Sequence, residues 1–371
     1  MTQLANFLAA AGTSLEADAD IEAIYELCLE RGWSDGLPVI PPTAERVERM
    51  LAYCDRLWDE PIAAIPPRYG EATPLRLAAN AVMAGCRPQY FPLVMLAIEA
   101  MAEEPFNLYG IQATTHPCAP LIIVNGPVAH ELAINSGHGA FGAGCRSNAT
   151  IGRAVRLALV NIGGAIPGLG DMATVGSPAK YTFCAAENAA ASPWEPLHVE
   201  MGYPADASTI TVVAAEGPHN INDHESISAK GILTTFAGSI AGTGANDVYH
   251  RGTPVLAFGP EHAATVASDG YSKADVKRYL FEHARLPLGK FSEENIARRF
   301  RAKPGTQYAN ASLDTLVPML QAAEDFIVIV VGGAGKHSAY MPTFGTTRAV
   351  TRPLRHRDGR FVNSIEELRR E

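Results

Sequence analysis

Apolar residues over the first hundred positions recur at spacings of three and four. DIEAIYELCLERGW (20 to 33), TAERVERMLAYCDRLW (43 to 58), TPLRLAANAVMAGC (73 to 86) and PQYFPLVMLAIEAMAEE (88 to 104) each carry that period, which predicts amphipathic helices. Proline-rich joints, GLPVIPPT and IAAIPPRYG, separate them. From about residue 119 the texture changes to short β-branched runs, each followed by glycine and then by a helix-like segment. That alternation predicts an α/β fold, with a mixed or mostly parallel sheet and flanking helices behind a helical N-terminal portion. The expected division is a helical portion over 1–105 and an α/β core over 106–371.

Four of the later runs align: LIIVNGPVAHELA, ITVVAAEGPHNINDH, VLAFGPEHAATVA and IVIVVGGAGKHSAY. Each reads strand, glycine turn, histidine, and the histidines are His130, His219, His262 and His337. The turn after a parallel strand opens at its carboxyl end, where ligands bind and helix N-termini offer spare N–H groups. The plainer reading is four ordinary turns with a polar residue at a helix start. No fixed period relates the segments between them.

Composition narrows the class. The chain has 371 residues, 47% hydrophobic and 19% charged, enough to bury one large core or two ordinary ones. A net charge of -9 gives no basic field for a phosphate backbone, so a small molecule is the expected partner and nucleic acid is not. The start, MTQLANFLAAAGTSLEADAD, lacks a basic n-region and soon meets Glu16, Asp18 and Asp20, so no secretory leader is expected. No run of eighteen apolar residues predicts a membrane span. Six scattered cysteines without a CxxC pair fit reduced thiols in a cytoplasm. A homo-oligomer is the expected state.

Candidate chemistry gathers in four places. In NSGHGAFGAGCRSNATIGRAVRLALVNIGG (135 to 164) a glycine loop leads into a helix with Ala154, Leu157, Ala158 and Ile162 on one face. Cys145, Arg146, Ser147, Asn148 and Arg153 at the junction suit a small-anion cradle, since backbone N–H groups and Arg favour carboxylate or phosphate. It matches no nucleotide fingerprint. GGAGKHS (332 to 338) fails as a P-loop because position 330 is Val, but Lys336, His337 and Ser338 can still hold an anion. The stretch 171 to 200 brings Lys180, Cys184, Glu187, Asn188, Trp194, Glu195 and His198 close in sequence. Cys184 lies in a short predicted strand, where a cysteine is more often a buried small hydrophobe than a nucleophile; a nearby Lys or His would favour the thiolate.

The cluster His219, Asn220, Asn222, Asp223, His224 and Glu225 is the densest polar group. Its histidines stand five apart, not the four of one helix face, and asparagine is a poor zinc ligand. A hydrogen-bonding site with one histidine as acid or base is the preferred reading. Capping of the helix predicted over 224 to 241 accounts equally for Asn222 or Asp223.

The segments GWSDGLPVIPPT, NAVMAGCRPQYFP, QATTHPCAPLIIVNGP, INSGHGAFGAGCRSNATIGRAVRL, YTFCAAENAAASPWEPLH and VAAEGPHNINDH resemble an uncharacterised bacterial family of about this length. The likeness continues through GPEHAATVASDGYSKADVKRYLFEHAR and GGAGKHSAYMPTFG. Relatives are associated with a Cys-Gly-Ser-Cys or selenocysteine-Gly-Ser-Cys motif, which implies thiol or selenol redox chemistry. No GSC occurs in this chain, so such a motif would belong to a separate thiol or selenol redox protein acting as partner.

The expectation is an enzyme acting on a small anionic, carboxylate- or sulfur-bearing substrate by thiol-assisted elimination or redox chemistry. His219, His224, Cys184 and Glu187 are the candidate catalytic residues. His116, Asn135, Arg146, Asn148, Lys180, Asn188, Asn220, Asn222, Lys336, His337 and Ser338 are the candidate binding residues. Arg146, Asn148, His219, Asn222, His224 and Lys336 are expected around one pocket. No tightly bound structural zinc is expected. A divalent metal enters only under an alternative, a metal-dependent hydrolase or lyase using His116, His219 and His224 with Glu187 or Glu195. A second alternative is a non-catalytic binding or scaffold subunit of a redox partner.

Overall fold

The computed structural model describes residues 15–18 and 20–370; most of the leader reading falls on 1–14 and 19, outside the described residues. The periodic segments form helices α1 (Ile21–Glu30), α2 (Ala44–Leu51), α3 (Pro74–Ala84) and α4 (Phe91–Met101). Asp20, Thr43 and Thr73 cap the first three, each side chain accepting a first-turn N–H that has no partner within the helix. Between α2 and α3 the Pro-rich joint carries a short hairpin, β1 (Ala63–Ile65) with β2 (Gly70–Ala72). Then follow α5 (Leu108–Ala113), β3 (Ala119–Asn125), α6 (Pro127–Glu131), α7 (Arg146–Asn161), β4 (Cys184–Ala186) and β5 (Thr209–Ala215). The chain continues with β6 (His219–Asn222), α8 (Ala229–Ile240), β7 (Val255–Phe258), α9 (Pro260–Ser268), α10 (Lys273–His283), β8 (Arg285–Pro287) and β9 (Leu316–Pro318). It closes with β10 (Ile327–Val330), β11 (His337–Met341) and β12 (Val350–Pro353).

These elements make an α/β fold with mixed sheets, in two compact units. The first unit takes residues up to 187, 198–214 and 349 onward; the second takes 188–197 and 215–348. The division expected near residue 105 is therefore not where the chain parts. Helices α3 and α4 pack on α7, α7 packs on β4, and α4 also meets β12. A helical portion this apolar has no core of its own: ten of the eleven residues of α4 are buried, so it must be covered on nearly every side.

In the first unit the sheet order is β12-β5-β3-β4, with β12 antiparallel to β5 and β3 parallel to β4. β3 reads as a continuous apolar run because Leu121, Ile122, Ile123 and Val124 are all buried, as expected of a strand covered on both faces. Gly152 lets α7 lie against the chain entering β4: a Cβ there would stand 2.6 Å from the Phe183 backbone nitrogen.

In the second unit the order is β10-β7-β11-β6, with β10 and β7 parallel and the other pairs antiparallel. Its core holds Ile232, Phe236, Leu256, Phe258, Val328 and Val330. The Phe236 and Phe258 rings stack at 4.5 Å, and Trp194 meets Phe258 edge-on at 5.5 Å. Each fully buried side chain of this size stabilises the fold by about 1.5–3 kcal/mol.

Two of the four glycine turns depart from the strand-to-helix expectation. After β5, Gly217 and Pro218 lead into β6, and after β10 the glycines lead into β11. Both are strands because β11 pairs with β7 and β6 pairs with β11 in turn: Ile221, Ser338 and Tyr340 point inward while Asn220, Asn222 and His337 point out. The helix predicted over 224 to 241 begins only at Ala229, capped by Ser228, so neither Asn222 nor Asp223 is its cap. Among the described residues no helix is long and apolar enough to cross a membrane.

Candidate functional site

Each unit gathers polar groups at the carboxyl ends of its own parallel strand pair. In the first unit Asn125 ends β3 and Glu187 follows β4. Glu187 is buried, and Asn125 Nδ2 donates to its Oε2 at 2.6 Å. The glycine loop meets the same strand end, where the Ala186 N–H donates to the Asn135 carbonyl at 3.3 Å.

That loop is fixed by one side chain. Asn148 Nδ2 donates to the carbonyls of Asn135 at 2.9 Å and Ala140 at 3.1 Å, and its Oδ1 accepts the Asn135 N–H at 2.8 Å. Asn135 Oδ1 in turn accepts the Gly137 N–H. The loop is thus closed on the first turn of α7, with Cys145 at the N-cap position.

Cys145 differs from the other cysteines. Five of the six are buried and Cys145 is half-buried. Burial alone would raise its pKa, but the Asn148 N–H, the Ser147 hydroxyl and the N–H groups of Asn135 and Ser147 outweigh it and bring the thiol below its ordinary value. Its Sγ lies 3.1 Å from Ser147 Oγ and 3.4 Å from the Ala133 carbonyl. Cys184 and Cys86 show the reverse. Burial pushes Cys86 up to about 12, and burial, followed by the neighbouring Cys145 and Cys86, pushes Cys184 up as well. Cys184 lies inside the sheet beside Ile122 and sits there as a small apolar residue, a setting that disfavours the thiolate expected of it.

The other candidates of this unit are engaged elsewhere. Arg146 Nε and Nη2 both donate to the Gly85 carbonyl, at 3.0 and 2.9 Å. Arg153 forks onto Asp35, at 2.8 and 2.7 Å, and reaches the Leu37 and Pro38 carbonyls, which ties the GWSDGLP loop to α7. Lys180 donates to both oxygens of Asp171, at 2.8 and 2.7 Å, and Arg156 joins the same carboxylate. Burial works against that carboxylate, but the Lys180 ammonium and the Arg156 guanidinium hold its pKa below the usual value. His116 is half-buried in the approach to β3, with its N–H on Thr114 Oγ1 at 3.1 Å.

In the second unit the polar cluster that follows β5 closes on itself. His224 and His337 face each other, Nε2 to Nε2 at 3.2 Å, with the rings at 76° and centroids 5.0 Å apart. His337 Nδ1 lies 3.0 Å from Asn220 Oδ1. With the amide oxygen as acceptor, Nδ1 carries the proton and Nε2 keeps its lone pair. Lys336 Nζ donates to the His224 carbonyl at 2.8 Å. Asn222 stands opposite His337 on the open face of the sheet, and His219 opposite Tyr340. Asn188 Nδ2 donates to the Gly332 carbonyl at 3.1 Å. Of the six residues expected around one pocket, Arg146 and Asn148 belong to the first unit, and His219, Asn222, His224 and Lys336 to the second.

Behind this open cluster lies a closed one that the sequence pattern did not separate from it. Ser338 Oγ accepts the Gly259 N–H at 2.9 Å and meets His262 Nδ1 at 2.8 Å. His262 Nε2 meets the Asp223 carbonyl at 2.9 Å. One proton arrangement satisfies the chain: Ser338 donates to Nδ1, and Nε2–H donates to the carbonyl. Burial lowers the pKa of His262, against the pull of the Asp223 carbonyl and carboxylate, and the neighbouring His337 and Lys336 push the same way as burial. The Asp223 carboxylate accepts from the Ser226 N–H at 2.9 Å and from Thr235 Oγ1 at 2.6 Å. His262, Ser338 and Asp223 therefore hold the His224 segment in place; Ser338 is turned inward.

Among the described residues no group of three or more His, Cys, Asp or Glu is placed to hold a metal ion. Comparison with protein-family models, curated proteins and solved structures returns no match for this chain.

Proposed function

We propose that this chain is an enzyme that acts on a small anionic, sulfur- or carboxylate-bearing molecule through the thiolate of Cys145. The observation that carries the reading is the setting of Cys145: half-buried, at the head of a sixteen-residue helix, inside a loop whose N–H groups favour its ionised form. The same spare N–H groups favour an anionic substrate beside it. In the redox form of the reaction the thiolate attacks a substrate disulfide, a mixed disulfide forms on Cys145, and the other sulfur leaves as a thiolate. A second thiol, from substrate or from a separate thiol or selenol protein, then resolves the mixed disulfide. The test uses the dianionic aromatic disulfide DTNB against the uncharged 4,4′-dithiodipyridine. Wild type should react with DTNB at least about tenfold faster, relative to a free cysteine peptide, than with the neutral reagent; Cys145→Ser should lose that fast phase and Cys184→Ala should keep it. A fast phase that survives Cys145→Ser overturns the reading.

A second reading, a metal-dependent lyase or hydrolase, is favoured by the His224 and His337 geometry. Two imidazole nitrogens bound at about 2.0–2.1 Å to one tetrahedral ion stand about 3.3 Å apart, close to the 3.2 Å found here. Asn220 fixes His337 in the ligating tautomer, the role that outer-shell hydrogen bonds play at metal sites. Water or substrate would complete the coordination. Titration with Zn²⁺ should give one site of micromolar affinity that His337→Ala weakens by at least about tenfold; affinity unchanged by that substitution removes this reading.

A further inference from the structure

The second unit contains a cavity of about 710 Å³ that none of the sequence motifs marked. Four permanent cations line it: Arg285, Arg298, Arg299 and Lys303. In a chain of net charge -9 this is a local concentration of positive charge. The one carboxyl in the lining is Asp247, already accepting from Tyr340 at 2.7 Å and Thr343 at 3.0 Å. Among the described residues the side chains of Arg298 and Lys303 have no hydrogen bond or ion pair. Cations gathered without counter-ions repel one another, and an anionic ligand relieves that repulsion.

The backbone explains how they come together. Residues 285–318 wrap a small core of their own, Leu288, Phe291, Ile296, Phe300 and Val317, beneath the β8–β9 hairpin. Ile296–Arg301 is a π-helix, a wide turn found frequently at functional sites. It turns Ile296 and Phe300 into that core and leaves the consecutive Arg298 and Arg299 exposed at the cavity. The wall between the cations is aromatic. Arg299 lies over the Tyr249 ring at 5.8 Å, Arg285 over Phe281 at 5.4 Å, and Tyr308 meets Phe300 edge-on at 5.4 Å. Guanidinium groups parked on aromatic faces are already part desolvated, ready to take a bidentate oxyanion while the rings take a planar group.

We propose that this cavity is a binding site for a small organic polyanion that carries an aromatic ring, of the nucleoside diphosphate kind. The volume lies within the range of small-molecule and cofactor sites. Phosphate oxygens would lie on Arg298, Arg299 and Lys303, with the ring on Tyr249 and Tyr308. The site lies wholly in the second unit, and neither the thiol nor the metal reading depends on it.

The test is isothermal titration of the full chain with three probes: ADP, pyrophosphate and adenosine. ADP should bind with a Kd of tens of micromolar, pyrophosphate at least about fivefold more weakly for want of the ring, and adenosine more weakly still for want of charge. The double substitution Arg298→Ala with Arg299→Ala should weaken ADP at least about tenfold; both side chains are exposed, so melting should be unchanged. Arg278→Ala, outside the cavity and paired with Asp275, should leave binding as it is. ADP binding no tighter than millimolar, pyrophosphate binding as tightly as ADP, or a double variant that binds ADP like wild type would each overturn the proposal.

Discussion

Burial decides the ionisation of single side chains here, and hydrogen bonds then correct it in either direction. Cys145 and Asp247 are the opposed cases. At Cys145 surrounding donors outweigh burial and favour the anion. At Asp247 burial wins: the carboxyl is pushed up to about 7, against the pull of Tyr340 and Thr343 and with Glu216 adding to the rise. A carboxyl whose folded pKa exceeds its unfolded value of about 3.9 binds more protons folded than unfolded between those two pH values. Its contribution to stability therefore falls as pH rises from about 4 to about 7 and is level above that, by about 1.4 kcal/mol per unit of pKa difference at most. Asp247→Asn should flatten this part of the profile: the difference in urea unfolding free energy between pH 5 and pH 8 should shrink by a few kcal/mol relative to wild type. An unaltered pH dependence in that variant would show that Asp247 is ionised throughout.

At the scale of elements, the buried link from Gly259 through Ser338 and His262 to the Asp223 carbonyl joins α9, β11 and the segment after β6. His262→Ala removes both partners at once and leaves buried groups unsatisfied, which should cost about 2–4 kcal/mol and lower the melting temperature. His219→Ala, on an exposed edge-strand residue, should change stability by less than about 0.5 kcal/mol, with His130→Ala as a matched surface control. Equal losses at His262 and His219 would show that the link is not structural. The four histidines looked alike in the sequence because each follows an apolar run and glycine, a pattern that reports the strand and turn but not what the next residues must cover. His130 entered a helix, His262 entered a helix and was buried, and His337 and His219 began strands because β11 pairs with β7 and β6 pairs with β11. The periods of α3, α4 and α7 were readable because each buries one stripe or more. The setting of Cys145 was half readable: GCRSN marked a helix start after a glycine loop, yet the donors that lower its pKa come from Asn148, Ser147 and Asn135 once the loop has closed, and loop closure is a tertiary event.

At the scale of the molecule, two units each carry a parallel strand pair with its polar mouth, and the cation-lined cavity belongs to the second alone. The chain closes the first unit late, since β12 returns to pair with β5 across the whole insertion of the second. That return is why a linear division at 105 misplaced the boundary: contacts of the first hundred residues are made with α7 and with the chain's end, as when Tyr53 donates to Glu366 at 3.0 Å. The cavity was invisible for a related reason, because its cations are spread from 285 to 303 and meet Tyr249 only in the fold. Whether the first unit presents an activated thiol is read out by the pH dependence of the DTNB reaction at Cys145, followed by mass spectrometry of the labelled chain. Cys145 should be labelled first, at a rate that rises with a midpoint below the value of about 8.5 for a free cysteine; a midpoint at or above that value, or first labelling at Cys184, would show that the thiol of Cys145 is not activated.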